Sequence, residues 1–231
     1  QDVWSADLPP IKAIFDYSYD ATMRSLEESL ERLKLDRVDI LHIHDPDNDF
    51  DAAMRGSYKA LVKLRTEGVI KAIGAGMNQA EMPVRFAREG DFDCFLLAGR
   101  YTLIDHTGLK ELLPVCTEKH ISIIVGGPYN SGILARDLDQ PVSFEYQPAA
   151  PEIVARARRF KAVCDNHQVE LKAAALQFVL AHPVVATAIP GAATETELEE
   201  NARVVQEEIP AALWDELKAH QLLPADAPTP V

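Results

Sequence analysis

Positive charge is what this 231-residue chain has too little of: 23 Lys and Arg stand against 36 Asp and Glu, a net charge of −13. Nucleic acids and anionic membrane surfaces are held by clustered cations, so this balance excludes both as partners and leaves a small molecule. Cysteine is scarce as well. Cys94, Cys116 and Cys164 are odd in number, far apart and without metal-ligand spacing, which reads as buried thiols of a reducing compartment. His106, His120, His167, His182 and His220 are scattered, and no pair has H-E-x-x-H or other ligand spacing, so no metal is expected. A signal peptide and a long apolar segment are both missing, which predicts a cytoplasmic protein. Neither a G-x-G-x-x-G nor a Walker pattern occurs; Gly74-Ala75-Gly76 comes near but lacks the third glycine. Ser131 has no nucleophile elbow around it, because Tyr129 and Ile133 occupy the outer positions. It reads as a turn residue or a phosphate contact.

What is present is a 47% hydrophobic content, enough for one sizeable core and so one domain. Ala21 to Leu35 carries Met23, Leu26, Leu30 and Leu33 at helical spacing, with Arg24, Glu28 and Arg32 opposite. Val38 to Ile43 is a continuous apolar run, the mark of a parallel strand covered on both faces. The alternation repeats: helix Ala52–Glu67, strand Ile70–Ala75, helix Gln79–Arg88 ending at Gly90, strand Cys94–Leu97, helix Gly108–Lys119, strand Ile121–Val125 and a loop rich in Gly, Pro and Asn. Two helices then fill Pro151–His182, broken near Asn166 to Val169, before strand Val184–Ile189 and helix Glu195–Glu207. Strands alternating with helices imply a parallel sheet. Without a phosphate loop after the first strand, an incomplete (β/α)8 barrel is preferred to a doubly wound sheet. Barrels have eight strands over about 250 residues, so the five here are expected to be strands 4 to 8. The chain starts at Gln1 in what reads as a loop within a domain, and the missing strands are expected before it. The domain assignment is therefore residues 1–221 as the C-terminal part of one barrel, and 222–231, with its prolines, as a tail that caps the surface or moves.

In Arg37-Val38-Asp39-Ile40-Leu41-His42-Ile43-His44-Asp45-Pro46, His44 stands at the end of an apolar strand, where barrels carry catalytic residues. On these residues alone two readings stay open: an active-site histidine, or a strand-end histidine bonded to a loop. His42, two residues earlier, points the same way one layer deeper and reads as a satisfied core imidazole. Arg100 is the one lone cation beside a strand end. The segment Ile189-Pro190-Gly191-Ala192-Ala193-Thr194 leaves a strand and enters a helix whose first amides face whatever sits there. Between Val184 and Ala202 there is no Lys or Arg, while Glu195, Glu197, Glu199 and Glu200 crowd the helix start. A 2′-phosphate is repelled there, whereas a ribose 2′-hydroxyl is served by a carboxylate. Thr194 and Glu197 also have the spacing of a capping box, and Glu197 can do either job or both.

The His44 motif, with an Asp, an apolar run, the His and a Pro two residues on, resembles the signature of the aldo-keto reductase superfamily. Asn78, after Lys71 to Met77, is similar to the residue that holds the nicotinamide carboxamide there. The usual Gln is replaced by Ala98 ahead of Tyr101. Ile123 to Gly132, including Tyr129, Asn130, Ser131 and Gly132, resembles the loop that cradles the pyrophosphate. Gly126 stands where the family's stacking aromatic residue would be, and Tyr129 is the nearest ring to take its place. Gly191, Ala193, Glu197, Glu200 and Asn201 match the segment holding the adenosine end. The resemblance implies direct hydride transfer between a nicotinamide and a carbonyl or carbinol carbon, with His44 the one member of the catalytic four found here. Its Tyr, Lys and Asp partners would lie before Gln1, so the chain alone is expected to be inactive.

Within the superfamily the pattern Phe15-Asp16-Tyr17-Ser18-Tyr19-Asp20, with His44-Asp45-Pro46, Gly74 to Asn78 and Pro128 to Leu134, is most similar to NAD-dependent sugar 1-dehydrogenases of the L-fucose or D-threo-aldose type. Pyridoxal 4-dehydrogenases share much of it, and a non-catalytic nucleotide-binding subunit is a further alternative. NAD rather than NADP is the expected cofactor, and a sugar or aldehyde the expected partner.

Overall fold

The computed structural model describes residues 14–230; the segment at Gln1 and Val231 of the tail lie outside them. The chain divides into two compact units, Gln1–Ala75 and Gly76–Val231.

The first unit opens with α1, Tyr19–Leu33, capped by Ser18, whose hydroxyl accepts from Ala21 N at 3.2 Å. It ends where Lys34 turns left-handed, φ 55°. Only Leu26 of its apolar stripe is buried, and Leu33 is exposed. Strand β1, Ile40–His44, departs from the expected two-sided cover: Ile43 alone is buried and Ile40 is exposed, because no strand lies on its second edge among the described residues. The single helix expected over Ala52–Glu67 is two, α2 at Phe50–Arg55 and α3 at Ser57–Thr66. The chain kinks at Gly56, where the Tyr17 carbonyl comes so close that a Cβ would sit 2.0 Å from its oxygen. That carbonyl accepts from Ser57 N at 2.8 Å and from Ser57 Oγ at 3.2 Å. Strand β2, Ala72–Met77, leads from the first unit into the second.

The second unit continues with α4 (Glu81–Glu89), β3 (Cys94–Ala98), α5 (Thr107–Lys110), α6 (Leu112–Lys119) and β4 (Ser122–Gly126). One helix was expected over Gly108–Lys119, and the break at Glu111 has a plain cause: the ring of Pro114 conflicts with the Lys110 carbonyl of a continuous helix. After β4 the chain forms a short antiparallel pair, β5 (Ser143–Phe144) and β6 (Gln147–Pro148), inside what the sequence presents as loop. Then come α7 (Pro151–Asn166), α8 (Leu171–Leu180), β7 (Val185–Ile189), α9 (Glu195–Val204) and α10 (Ala211–Ala219). Strands β3, β4 and β7 run parallel, with Leu97 beside Val125 and Gly126 beside Ile189. They are aligned so that loops 99–106, 127–132 and 190–194 leave the same end of this sheet.

Helix α10 is absent from the sequence reading, yet it anchors the core. Its Trp214 is 1% exposed and stacks 6.5 Å from Phe178 of α8, which meets Tyr101 at 5.2 Å. Rings buried to this extent contribute about 1.5–3 kcal/mol each. The tail is held as well, with Leu222, Leu223 and Ala227 buried. Among the described residues no helix is long and apolar enough to cross a membrane.

Candidate functional site

In the first unit, β1 ends at His44 with its imidazole 78% exposed. The next residue, Asp45, is left-handed at φ 45°, a conformation that strains a residue with a Cβ. Tyr17 holds the turn. Its hydroxyl donates to His44 O at 2.9 Å and to Asp45 O at 2.8 Å, clamping the peptides on both sides of Asp45. Burial first, then Asp49, Asp45 and Asp47, push the Tyr17 phenol up to about 12, so it stays a protonated donor near neutral pH. Phe15 lies nearly parallel to the His44 ring, centroids 6.4 Å apart, and Asp45 Oδ2 is 3.7 Å from Nε2. His44 is therefore aimed by a tied backbone and its ring edge stays open. The expectation for His42 is half met. Its ring bonds the Ala75 backbone, and burial lowers its pKa, but Nδ1 is buried with no partner.

In the second unit, two loops supply the remaining candidates. After β4, Gly127, Asn130, Ser131 and Gly132 all have positive φ, giving a tightly coiled turn. Gly126 is closely packed: a Cβ there would lie 3.1 Å from Leu96 Cδ2, which would have to give way. Tyr129 is buried, and its hydroxyl donates to Asn201 Oδ1 at 2.8 Å. Asn201 Nδ2 in turn donates to Gly191 O at 3.3 Å. One hydrogen-bonded chain thus joins the β4 loop, α9 and the β7 loop. Ser131 Oγ accepts from Tyr146 N at 3.0 Å. Asn130 Nδ2 reaches Gly99 O at 3.3 Å, while its Oδ1 is buried without a partner. An unmet buried acceptor fits a ligand hydroxyl.

The start of α9 is capped from both sides. Thr194 Oγ accepts from Glu197 N at 3.2 Å, and Glu197 Oε2 accepts from Ala193 N at 2.6 Å. The amides of Glu195 and Thr196, in the first turn, have no partner within the helix. Gly191 is exposed, with nothing within 4 Å of an added Cβ. Glu200 does not face outward alone: it pairs with Lys172 of α8, a cation outside the stretch from Val184 to Ala202. Asn78 is exposed just beyond β2, and its carbonyl accepts from Arg100 Nε at 2.7 Å. Arg100 is consequently not a lone cation. It also pairs with Asp105 at 3.1 Å and with Glu145 of the β5–β6 turn. Neither the clamp by Tyr17 nor the tethering of Arg100 is legible in the sequence, since Tyr17 acts on backbone 27 and 28 positions away and Arg100 joins Asn78 and Glu145 from separate loops. The three thiols are buried as expected, and burial raises Cys94 to about 11 and Cys116 and Cys164 to about 12.

Comparison with known proteins matches residues 10–222 to the Aldo/keto reductase family. D-threo-aldose 1-dehydrogenase of a Pseudomonas species is 40% identical over 212 residues, covering 91% of this chain and 64% of that protein. Pyridoxal 4-dehydrogenase of Microbacterium luteolum is 36% identical over 222 residues, covering 92% and 65%. The chain thus spans somewhat under two-thirds of the length of these relatives. Among solved structures, an aldo-keto reductase of Bacillus halodurans in its holo form superimposes with TM-score 0.74 at 22% identity, over 92% of this chain and 70% of that one. Likeness at that identity is a likeness of fold.

Proposed function

Because the chain belongs to the aldo/keto reductase family, we propose that it serves hydride transfer between NAD and the anomeric carbon of an aldose such as L-fucose or D-threo-aldose. Enzymes of this family are oxidoreductases that use NAD(P). The observation that carries the reading is the Tyr129–Asn201–Gly191 chain of hydrogen bonds, which ties the two loops that a dinucleotide would have to span. The unpartnered Oδ1 of Asn130 and the first-turn amides of Glu195 and Thr196, which lack a partner within α9, would supply the acceptor and donors that such a ligand needs. Asn78, Asn130, Ser131 and Gly132 would hold its nicotinamide and pyrophosphate end, and Gly191, Ala193, Glu197, Glu200 and Asn201 its adenosine end. When bound, the nicotinamide supplies the hydride acceptor.

The proton lost from the sugar hydroxyl passes to the Tyr that the family resemblance implies, a residue not among those described, and three described residues shape the rest of the site. His44, on the clamped end of β1, orients the substrate oxygen by a hydrogen bond from its open ring edge. Tyr17 keeps that edge in place. Glu197 presents a carboxylate where a 2′-hydroxyl is welcome and a 2′-phosphate is not, which favours NAD over NADP. The 40% relative supports the aldose; the 36% relative supports pyridoxal as a second substrate reading. Steady-state formation of NADH with L-fucose, a D-threo-aldose and pyridoxal, each with NAD and NADP, tests the proposal. Oxidation of aldoses with NAD is expected of an enzyme that unites this chain with the family's Tyr, Lys and Asp partners, and turnover of pyridoxal alone would replace the first reading by the second.

A further inference from the structure

Cations drawn into a protein interior are paired almost without exception, and Arg100 and Lys172 obey this by lying against carboxylates. Arg156 of α7 and Lys218 of α10 do not. Both are half-buried, and among the described residues neither makes a hydrogen bond or an ion pair within 4 Å. They line one cavity of about 380 Å3, whose remaining walls are His106 and the tail from Gln221 to Ala225. Asp105, the acid whose charge is felt at Arg156, is engaged elsewhere: it takes Arg100 Nη1 at 3.1 Å on one oxygen and Thr107 N at 2.8 Å on the other. Arg159, which donates to His220 O at 3.1 Å, adds positive charge beside it. Burial pulls the Arg156 guanidinium below its ordinary value, with Asp105 opposing and Arg159 adding to the effect. In a chain of net charge −13, this is a local concentration of unmet positive charge.

We propose that this cavity is a binding site for a small phosphomonoester, with Arg156 forking two phosphate oxygens and Lys218 supplying the second positive charge. A dianion matches two cations, whereas a single carboxylate would leave one unmet. His106 Nε2 sits 3.0 Å from Leu103 O and so carries the ring proton. Its Nδ1 is therefore an acceptor for a ligand hydroxyl. The volume exceeds that of a phosphate group and falls in the range of small-molecule pockets, and Leu222, Leu223 and Pro224 offer an apolar wall to the organic part. None of these residues belongs to the β4 or β7 loops, so the site is separate from the proposed cofactor cradle.

Calorimetric titration of the full chain with inorganic phosphate and with glycerol 3-phosphate, against sodium chloride at matched ionic strength, tests the assignment. Saturable binding of both is expected, tighter for the ester. Arg156→Gln and Lys218→Gln should each weaken it about ten- to a hundredfold, the loss of one charge-assisted contact. Circular dichroism should be unchanged, because neither side chain bonds anything in the fold. Asn201→Ala should leave the binding intact. Absence of saturable binding, wild-type affinity in either charge variant, or loss of binding in Asn201→Ala alone would overturn it.

Discussion

Replacing Glu197 by Arg separates the cap of α9 from its charge. The folded chain loses the 2.6 Å contact from Ala193 N to Glu197 Oε2, while Thr194 keeps its bond to the backbone at residue 197. Half a capping box is worth about 0.5–1 kcal/mol. A cation in the first turn of a helix adds about 0.3–1 kcal/mol of unfavourable dipole interaction. The total is about 1–2 kcal/mol, or a fall of roughly 2–8 °C in Tm for a chain of this size. Against this, one guanidinium on a 2′-phosphate gains about 1.5–3 kcal/mol, ten- to a hundredfold in relative affinity for NADP. Gly191→Lys can be added without steric cost, since a Cβ there meets no atom within 4 Å. Glu197→Gln is the control: its amide oxygen can still accept from Ala193 N, so stability should hold while part of the discrimination against NADP goes. Fluorescence titration of both cofactors and thermal melts read the two effects apart. If wild type already binds NADP as tightly as NAD, or if the Arg variant loses stability with no shift in preference, Glu197 is a cap and nothing more.

Gly56→Ala should destabilise the chain by about 1–3 kcal/mol, because its Cβ would meet Tyr17 O at 2.0 Å; an unchanged denaturation midpoint would show the kink to be relaxed. Tyr17→Phe removes both bonds to the His44–Asp45 turn at about 1 kcal/mol and should bring relaxation-dispersion exchange to the His44 ring resonances, which Asp45→Asn, at ease in the left-handed region, should quieten. His106 is held down to about 4 by burial first and Arg156 second, with Leu103 and Asp105 opposing. The unfolded chain then binds this proton first, so stability present above about pH 6.5 is lost as pH falls toward 4; His106→Gln should flatten that part of the pH profile, and an identical slope would refute the buried neutral imidazole. Ellman's reagent at mildly alkaline pH should leave Cys94, Cys116 and Cys164 unlabelled until denaturant is added, since burial keeps the thiols protonated and out of reach.

Period and punctuation made most elements legible in the sequence. The break between α7 and α8, the ends of β3 and the start of α9 fall within a residue or two of expectation, because each is set by local pattern. The breaks at Gly56 and Glu111 were missed for different reasons. Pro114 was visible but was read through, whereas the kink at Gly56 is imposed by a carbonyl 39 positions away along the chain. Helix α10 was overlooked although Leu213, Trp214 and Leu217 mark a buried face. The capping of α9 by Thr194 and Glu197 could be read from spacing alone. The bonds of Tyr17 and Asn201 could not, since each acts on backbone or side-chain atoms that only the fold brings near.

Direct hydride transfer is tested most plainly by isotope. An aldose carrying deuterium at its anomeric carbon, incubated with NAD and an enzyme that unites this chain with the Tyr, Lys and Asp partners of the family, should yield reduced cofactor bearing that deuterium, and His44→Ala should slow its appearance about a hundredfold while NAD binding is kept. Label released to solvent, or an equal rate in the His44 variant, would contradict the account.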